Sequence, residues 1–131
     1  MKLGGVLNHR LSMVIAEMGH TDGLTVADAG LPVPMGVDRI DLALRPGIPS
    51  FEQTLEAIAM ELRVEEIVIA REAFDANPDA LRAIESCFPG VPVKAVPHVE
   101  FKLLTRETRA VVRTGECSPY ANAILRSGVI F

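Results

Sequence analysis

The stretch SFEQTLEAIAMELRVEEIVIAREAFDANPDALRAIESCFPGVPVKAV, residues 50 to 96, decides the predicted fold. Ser50 stands three residues before Gln53, a capping-box spacing that begins a helical repeat of apolar residues through Leu62. The run from Glu66 to Ala70 holds three consecutive β-branched residues and indicates a buried strand. The first half of the stretch is therefore predicted to be a helix followed by a strand.

The second half of the stretch repeats this order. Asn77 and Pro78 supply an N-cap and a first-turn proline for a helix that reaches about Cys87. Pro89-Gly90 then ends the helix, and Val93 to Val96 can form the next strand. Strands that alternate with helices predict a mainly parallel sheet with helices on both faces.

Three further elements are predicted before residue 50. Apolar residues at helical spacing indicate a helix over about residues 8 to 18, with Gly19 as its left-handed C-terminal cap. The apolar run from Leu24 to Ala29 indicates a buried strand. Alternation of apolar and other residues from Ile40 to Leu44 indicates a second strand, which Pro46-Gly47 would end.

The remaining elements follow residue 96. A short helix is predicted from His98 to near Leu104, and two strands are predicted over residues 109 to 113 and 122 to 126. A polar turn over residues 114 to 120 separates these strands. The sequence thus predicts a single α/β domain over residues 1 to 131, a three-layer α/β/α sandwich around a mainly parallel mixed sheet.

Composition narrows the class of ligand. Hydrophobic residues make up 49% of the 131 residues and the formal net charge is −4, so the chain is predicted to fold and offers no basic surface for nucleic acid. Aromatic residues are only 5% and tryptophan is absent, which favours a small polar ligand over stacked bases. No uncharged apolar run approaches the length needed to cross a membrane, so no membrane partner is expected.

Motifs for common cofactors are missing. The sequence contains neither G-x-G-x-x-G nor G-x-x-x-x-G-K-[ST], and the H-x-E at His98 to Glu100 has no C-x-x-C to complete a zinc site. We therefore expect no cofactor and no metal. Cys117 could in principle pair with His98 as a nucleophile, although a thiol beside a turn is the simpler interpretation. With only two cysteines and no signal-peptide pattern, the sequence predicts a cytoplasmic protein.

Polar residues stand where the predicted strands begin or end. Asp28, His98 and the turn around Tyr120 have such positions, and His20 lies in the loop before the first strand. Ligands of open parallel sheets gather beyond the carboxyl ends of the strands, so these residues are candidate ligand contacts.

Each candidate also has a purely structural interpretation. His20 suits the negative end of a helix dipole, and Asp28 can hydrogen-bond loop amides. Tyr120 and Asn122 can be turn and strand-edge residues. The residues alone therefore predict an α/β domain with a site for a small uncharged polar ligand, and they leave its chemistry open.

Several ordered motifs along the whole chain resemble the D-ribose pyranase family. The most specific is GECSPYAN at residues 115 to 122. Related L-fucose mutarotases share the MGH segment at residues 18 to 20 but differ after the aspartate, where this chain has the ribose-type AGLP. The motifs that carry the resemblance are Asn8, Gly19-His20-Thr21-Asp22, Asp28-Ala29-Gly30-Leu31-Pro32, Arg39-Ile40-Asp41 and Gly115-Glu116-Cys117-Ser118-Pro119-Tyr120-Ala121-Asn122.

The resemblance implies a function and a site. It implies that the protein interconverts the pyranose and furanose forms of D-ribose, which supplies furanose for phosphorylation, without cofactor or metal. His20 would be the general acid, an imidazole that gives and takes protons near neutral pH. The resemblance further implies a homodecamer of two stacked rings with each site near a subunit boundary. The residues that would hold the sugar are Asp28, His98, Tyr120, Ala121 and Asn122.

Two alternatives to the ribose assignment stay open. One is a mutarotase or pyranase for another monosaccharide, such as L-fucose. The other is a non-catalytic sugar-binding subunit that assists a transporter or kinase. Independently of these, the apolar residues Val129 to Phe131 are predicted to pack against the body of the protein or a neighbouring subunit.

Overall fold

The structure is a computed structural model and describes residues 1–131. Its helices are α1 (His9–Glu17), α2 (Phe51–Ala59), α3 (Ala73–Ala76), α4 (Pro78–Cys87) and α5 (His98–Leu104), and a 3₁₀ turn follows at Thr105–Glu107. Its strands are β1 (Gly23–Ala27), β2 (Asp38–Asp41), β3 (Val64–Ala70), β4 (Val93–Val96), β5 (Ala110–Arg113) and β6 (Ala123–Ser127).

The six strands form one mixed sheet in the order β2-β5-β1-β6-β3-β4. Strand β6 runs antiparallel to both of its neighbours, β1 and β3, and the other pairs are parallel. The carboxyl ends of the five parallel strands therefore share one edge of the sheet with the start of β6. We call this the carboxyl edge, and the opposite edge, where β1 and β3 begin and β6 ends, the amino edge.

Apolar side chains on the two faces of the sheet build two separate cores. Ile67, Ile69 and Leu125 face a larger core that includes α1, α2 and α4. Val68 and Ile124 point to the other face, where Phe101 of α5 is fully buried with them. This alternation along β3 and β6 is the pattern of strands covered on both sides. The predicted three-layer fold is confirmed.

The loop after α1 differs from its prediction. Gly19 is not left-handed; Met18 ends the helix in an extended conformation, and Thr21 carries the positive φ of 70°. The reason is local, because the Asp22 carboxylate accepts a hydrogen bond from the Gly19 amide at 2.8 Å and closes the turn from its side chain. A glycine cap is then unnecessary.

Strand β2 is shorter than the alternation over residues 40 to 44 predicts. Asp41 pairs with Arg113, the last residue of β5, so the ladder has no partner strand beyond that point. Leu44 is 80% exposed and lies outside the strand. None of the helices combines the length and apolar character that crossing a membrane requires.

Candidate functional site

Asp28 and Asn122 meet at the carboxyl edge of the sheet. Asp28 follows β1 and Asn122 precedes the antiparallel β6, so the topology brings together two residues that are distant in sequence. The Asp28 amide donates to Asn122 Oδ1 at 2.9 Å, and Asn122 Nδ2 donates to Asp28 Oδ2 at 2.8 Å. Asp28 Oδ1 accepts from the Gly30 amide at 2.9 Å. Asn122 is buried, and this pairing fixes the orientation of the Asp28 carboxylate.

The segment before β6 holds Tyr120 in an uncommon backbone conformation. Tyr120 has a φ of 58°, in the left-handed region that residues with a Cβ rarely adopt. Its carbonyl accepts from the Asn122 amide at 2.9 Å, which makes a tight turn around the buried Ala121. Asn77 of the α4 cap donates to Ser118 Oγ at 2.8 Å and to the Pro119 carbonyl at 2.9 Å. These contacts tie the strained turn to the helix layer.

His98 directs its ring toward the same turn. The ring stacks on Phe101 with centroids 6.2 Å apart and meets Tyr120 edge-on at 5.0 Å. The His98 amide donates to both carboxylate oxygens of Glu72, at 3.0 and 3.1 Å. Hydrogen bonds from the Glu72 and His98 amides lower the pKa of Glu72. The His98 Nδ1 atom is buried and has no hydrogen-bond partner within this chain.

Asp28 and Asn122 form one contact pair, His98 and Tyr120 form another, and the tight turn from Tyr120 to Asn122 joins the two pairs. We call these four predicted residues the hydroxyl cluster. It combines an acidic acceptor, an amide, a phenol and an imidazole, which together can both accept and donate hydrogen bonds. An open cleft of about 450 Å³ beside Asp28 falls within the size range of small-molecule sites; residues 28 to 30 and 116 to 119 line it, and the other three residues of the cluster do not. The cluster suits a small ligand that carries several hydroxyl groups.

His20 lies at the opposite, amino edge of the sheet. The amide of its neighbour Thr21 donates to the Ser127 carbonyl at 2.8 Å, where β6 ends. Ser127 lies five residue steps beyond Asn122, or about 16 Å at a rise of about 3.3 Å per residue. Within one chain, the structure does not bring His20 to the hydroxyl cluster.

The His20 loop is nevertheless held firmly. His20 Nε2 lies 3.0 Å from both carboxylate oxygens of Glu65. Asp22 closes the loop through Gly19 and forms an ion pair with Arg109 at 2.9 Å. The hydrogen bond from Arg109 and that from the Gly19 amide lower the pKa of Asp22. The imidazole is 54% exposed and faces out of the chain.

Neither the cysteines nor any group of metal-ligating side chains forms a second candidate site. No three side chains of His, Cys, Asp or Glu lie together in a way that could hold a metal ion. Cys117 is exposed and contacts the Gly115 carbonyl, whereas burial raises the pKa of the half-buried Cys87 thiol. Both cysteines are free.

Sequence reasoning missed three residues that shape these surroundings. Asn77 was recognised only as a helix cap, although its amide nitrogen also anchors the Tyr120 turn. Glu72 and Glu65, which hold His98 and His20, went unnoticed. No local signal marks these two glutamates, because their partners lie 26 and 45 residues away in sequence.

Comparison with known proteins identifies the family. The RbsD / FucU transport protein family matches residues 1–130. The chain belongs to this family. It is 56% identical over its whole length to a D-ribose pyranase of Laribacter hongkongensis and 47% identical to one of Bacillus subtilis, and it covers all of both proteins. The family resemblance drawn from the ordered motifs is confirmed.

Solved structures of the family agree with the fold. The structure of Bacillus subtilis RbsD complexed with D-ribose shares 46% identity, a TM-score of 0.96 and full coverage of both chains. The fucose mutarotase of Streptococcus pneumoniae, in complex with L-fucose, shares 23% identity, a TM-score of 0.78 and 95% coverage of each chain. The similarity to the fucose mutarotase supports only the fold.

Proposed function

We propose that this protein is a D-ribose pyranase, an isomerase that converts the pyranose form of ribose to the furanose form. One observation carries the proposal: the chain matches along its entire length a relative solved with D-ribose, at 46% identity and a TM-score of 0.96. The full-length D-ribose pyranases at 47% and 56% identity support the same activity. The furanose product would serve a phosphorylation step.

The reaction consists of proton transfers. Opening the pyranose removes the proton of the anomeric hydroxyl and protonates the ring oxygen O5, while the C1–O5 bond breaks and the aldehyde forms. Closure then lets O4 attack C1, with O4 losing its proton and the carbonyl oxygen gaining one. No electrons leave the sugar, so positioned acid and base groups suffice, each worth about 10²- to 10⁴-fold in rate.

In this proposal His20 is the general acid, and the hydroxyl cluster with Ala121 holds the sugar. Asp28 and Asn122 form hydrogen bonds to sugar hydroxyls, and Tyr120 offers a phenol beside them. The His98 ring is partly exposed and forms no hydrogen bond within the chain, so it is free to bind a hydroxyl or to transfer a second proton. Ala121 contributes backbone only. The short, mutually bonded contacts around Asp28 support this division, because a preorganised cluster binds without reordering.

The separation of His20 from the hydroxyl cluster leads us to propose that each site is shared between two protomers. His20 of one copy would approach the cluster of a neighbouring copy, as in a homodecamer of two stacked rings. Protomers related by closed symmetry repeat such a contact at every site. Supporting this arrangement, the His20 ring is mostly solvent-accessible in the isolated chain.

An exposed apolar segment also supports assembly. Ile130 is 91% exposed and Phe131 is fully exposed, so these two side chains do not pack against the body of their own chain, whereas Val129 is only 37% exposed. The three residues follow β6 after Gly128, so they leave the sheet at the amino edge, where His20 lies, and not at the Asn122 end of the strand. Exposed apolar side chains of this kind mark a contact surface, and we assign the segment to a contact between copies. We also propose a cytoplasmic location, because two cysteines are too few for a disulfide framework.

Saturation-transfer NMR on equilibrated ribose tests the activity. Adding the protein should accelerate exchange between the pyranose and furanose resonances. Accelerated exchange of fucose anomers with unchanged ribose exchange would instead identify a fucose mutarotase. Ribose binding with no acceleration of either sugar would identify a sugar-binding accessory subunit and refute the isomerase.

Changing Asp28 to asparagine should weaken ribose binding more than turnover. The Asp28 carboxylate accepts hydrogen bonds from the Gly30 amide and from Asn122 Nδ2. In asparagine one of the two oxygens becomes an NH₂ group, which cannot accept, so one of these hydrogen bonds is lost. Losing a charge-assisted contact to a sugar hydroxyl should raise KM about tenfold while kcat changes less. Exchange rates against ribose concentration measure both constants. Asp75→Asn, an exposed aspartate on α3, is the matched control, and a full loss of kcat at unchanged KM would contradict the binding role.

Removing Val129–Phe131 should reduce both assembly and exchange. If the segment contacts a neighbouring copy, the truncated protein should dissociate on dilution and lose about tenfold or more of its activity. The reason is that a weakened assembly requires a higher protomer concentration to form. Light scattering and exchange rates at sub-micromolar protein measure the two effects. Leu3→Ala removes an equally exposed apolar side chain elsewhere and serves as control. A truncated protein that keeps both its size and its activity would remove this segment from the assembly.

A further inference from the structure

Glu65 approaches the His20 ring more closely than any other charged side chain. Both of its carboxylate oxygens lie 3.0 Å from Nε2, and no other hydrogen bond to the ring is present in the chain. Glu65 is 41% exposed, so the contact is reached by solvent and its Coulomb energy alone would be small. What the contact can supply is geometry, since a carboxylate on one ring nitrogen fixes which nitrogen faces the substrate.

The backbone of β3 directs the Glu65 side chain toward the His20 ring. In the ladder between β3 and β6, Val64 pairs with Ser127 and Glu66 pairs with Arg126, so β3 holds one extra residue, Glu65, opposite no partner. Such β-bulges re-aim a side chain and occur next to active sites. The bulge turns Glu65 out of the regular alternation and toward the His20 loop.

A neighbouring glycine leaves room for the carboxylate. A Cβ on Gly128 would stand 3.2 Å from Glu65 Cβ and 3.3 Å from Glu65 Oε2, closer than side chains normally pack. The Gly128 amide donates to the Arg63 carbonyl at 2.8 Å, which holds this close approach in place. Three independent features, the bulge, the glycine and the two-oxygen contact, thus converge on one carboxylate.

We propose that Glu65 is a positioning residue for His20, an inference that rests on the proposed role of His20 as the general acid. Glu65 holds the ring proton of neutral His20 on Nε2 and orients the ring, which leaves Nδ1 as the atom that exchanges protons with the sugar. A proton taken from the anomeric hydroxyl arrives at Nδ1 and leaves from Nδ1 to the ring oxygen. Glu65 stays ionised throughout and stabilises the imidazolium formed between these two transfers.

Glu65→Gln tests the proposal with two measurements. The amide offers both a donor and an acceptor to Nε2, so it no longer selects one tautomer. We expect kcat for ribose exchange to fall about 10- to 100-fold with KM within about twofold, the size of effect that an orienting partner of a histidine has at other sites. In ¹⁵N NMR of the ligand-free protein, His20 should change from a ring protonated on Nε2 to a mixture of tautomers. Glu85→Gln, an exposed glutamate on α4, is the matched control.

The outcomes separate this proposal from the function it rests on. Unchanged kcat, or a fallen kcat with His20 still protonated on Nε2 alone, overturns the positioning role of Glu65. A wild-type protein that fails to accelerate ribose exchange refutes the pyranase assignment. In that case a change of the His20 tautomer in Glu65→Gln would still show that Glu65 fixes the tautomer of the ring, because the NMR measurement needs no turnover.

Discussion

Replacing His20 with glutamine should slow ribose ring exchange about 10²- to 10⁴-fold, the range that a positioned acid or base contributes. Glutamine keeps a polar group of similar reach but cannot deliver a proton at neutral pH. His20 contributes nothing to either apolar core, and its ring forms hydrogen bonds only with Glu65, so the fold and the affinity for ribose should survive. The loss should therefore lie in kcat, measured by saturation-transfer NMR over a range of ribose concentrations.

His9→Gln provides the matched control for this change. His9 is also exposed and lies at the start of α1, with no hydrogen bond from its ring. Circular dichroism and light scattering on both variants verify fold and size. A folded His20→Gln protein that keeps near-normal exchange would contradict the acid role and shift it to His98, whose ring lies in the hydroxyl cluster.

Local signals in the sequence were enough to predict the elements that build the sheet. The β-branched run at Ile67 to Ile69 and the caps at Ser50 and Asn77 specify their elements through contacts within a few residues. The Gly19 cap was wrong for a local reason, but the bounds of β2 were wrong because a distant partner decides them. Strand β2 stops at Asp41 because β5 ends, and no pattern within residues 40 to 44 reports the length of another strand.

The candidate site was less accessible to sequence reasoning than the fold. The motifs named the residues, but the contact of Asp28 with Asn122 depends on β6 running antiparallel beside β1, a long-range pairing. His20 precedes β1 and Asp28 follows it, so this strand separates His20 at the amino edge from the cluster. Glu65 was missed because its role depends on a bulge, which appears only once the register of β3 against β6 is known.

Two inactive variants should restore activity to each other when they assemble together. In the first, His20→Gln, the hydroxyl cluster is intact. In the second, Asp28→Ala combined with Tyr120→Ala, the cluster is lost while His20 is intact. If each site combines His20 of one copy with the cluster of another, random mixing of equal amounts should pair two intact halves at about one quarter of the sites. Neither protein alone contains such a site.

The measurement is the ribose exchange rate of mixed particles, obtained by co-expressing the two variants with different tags and purifying through both tags in turn. The shared-site account predicts about one quarter of the wild-type rate per protomer, at least tenfold above either variant alone. Each variant assembled with itself is the control, and circular dichroism verifies that both are folded. Mixed particles that are no more active than the two variants measured separately would contradict the account and place the complete site within a single chain.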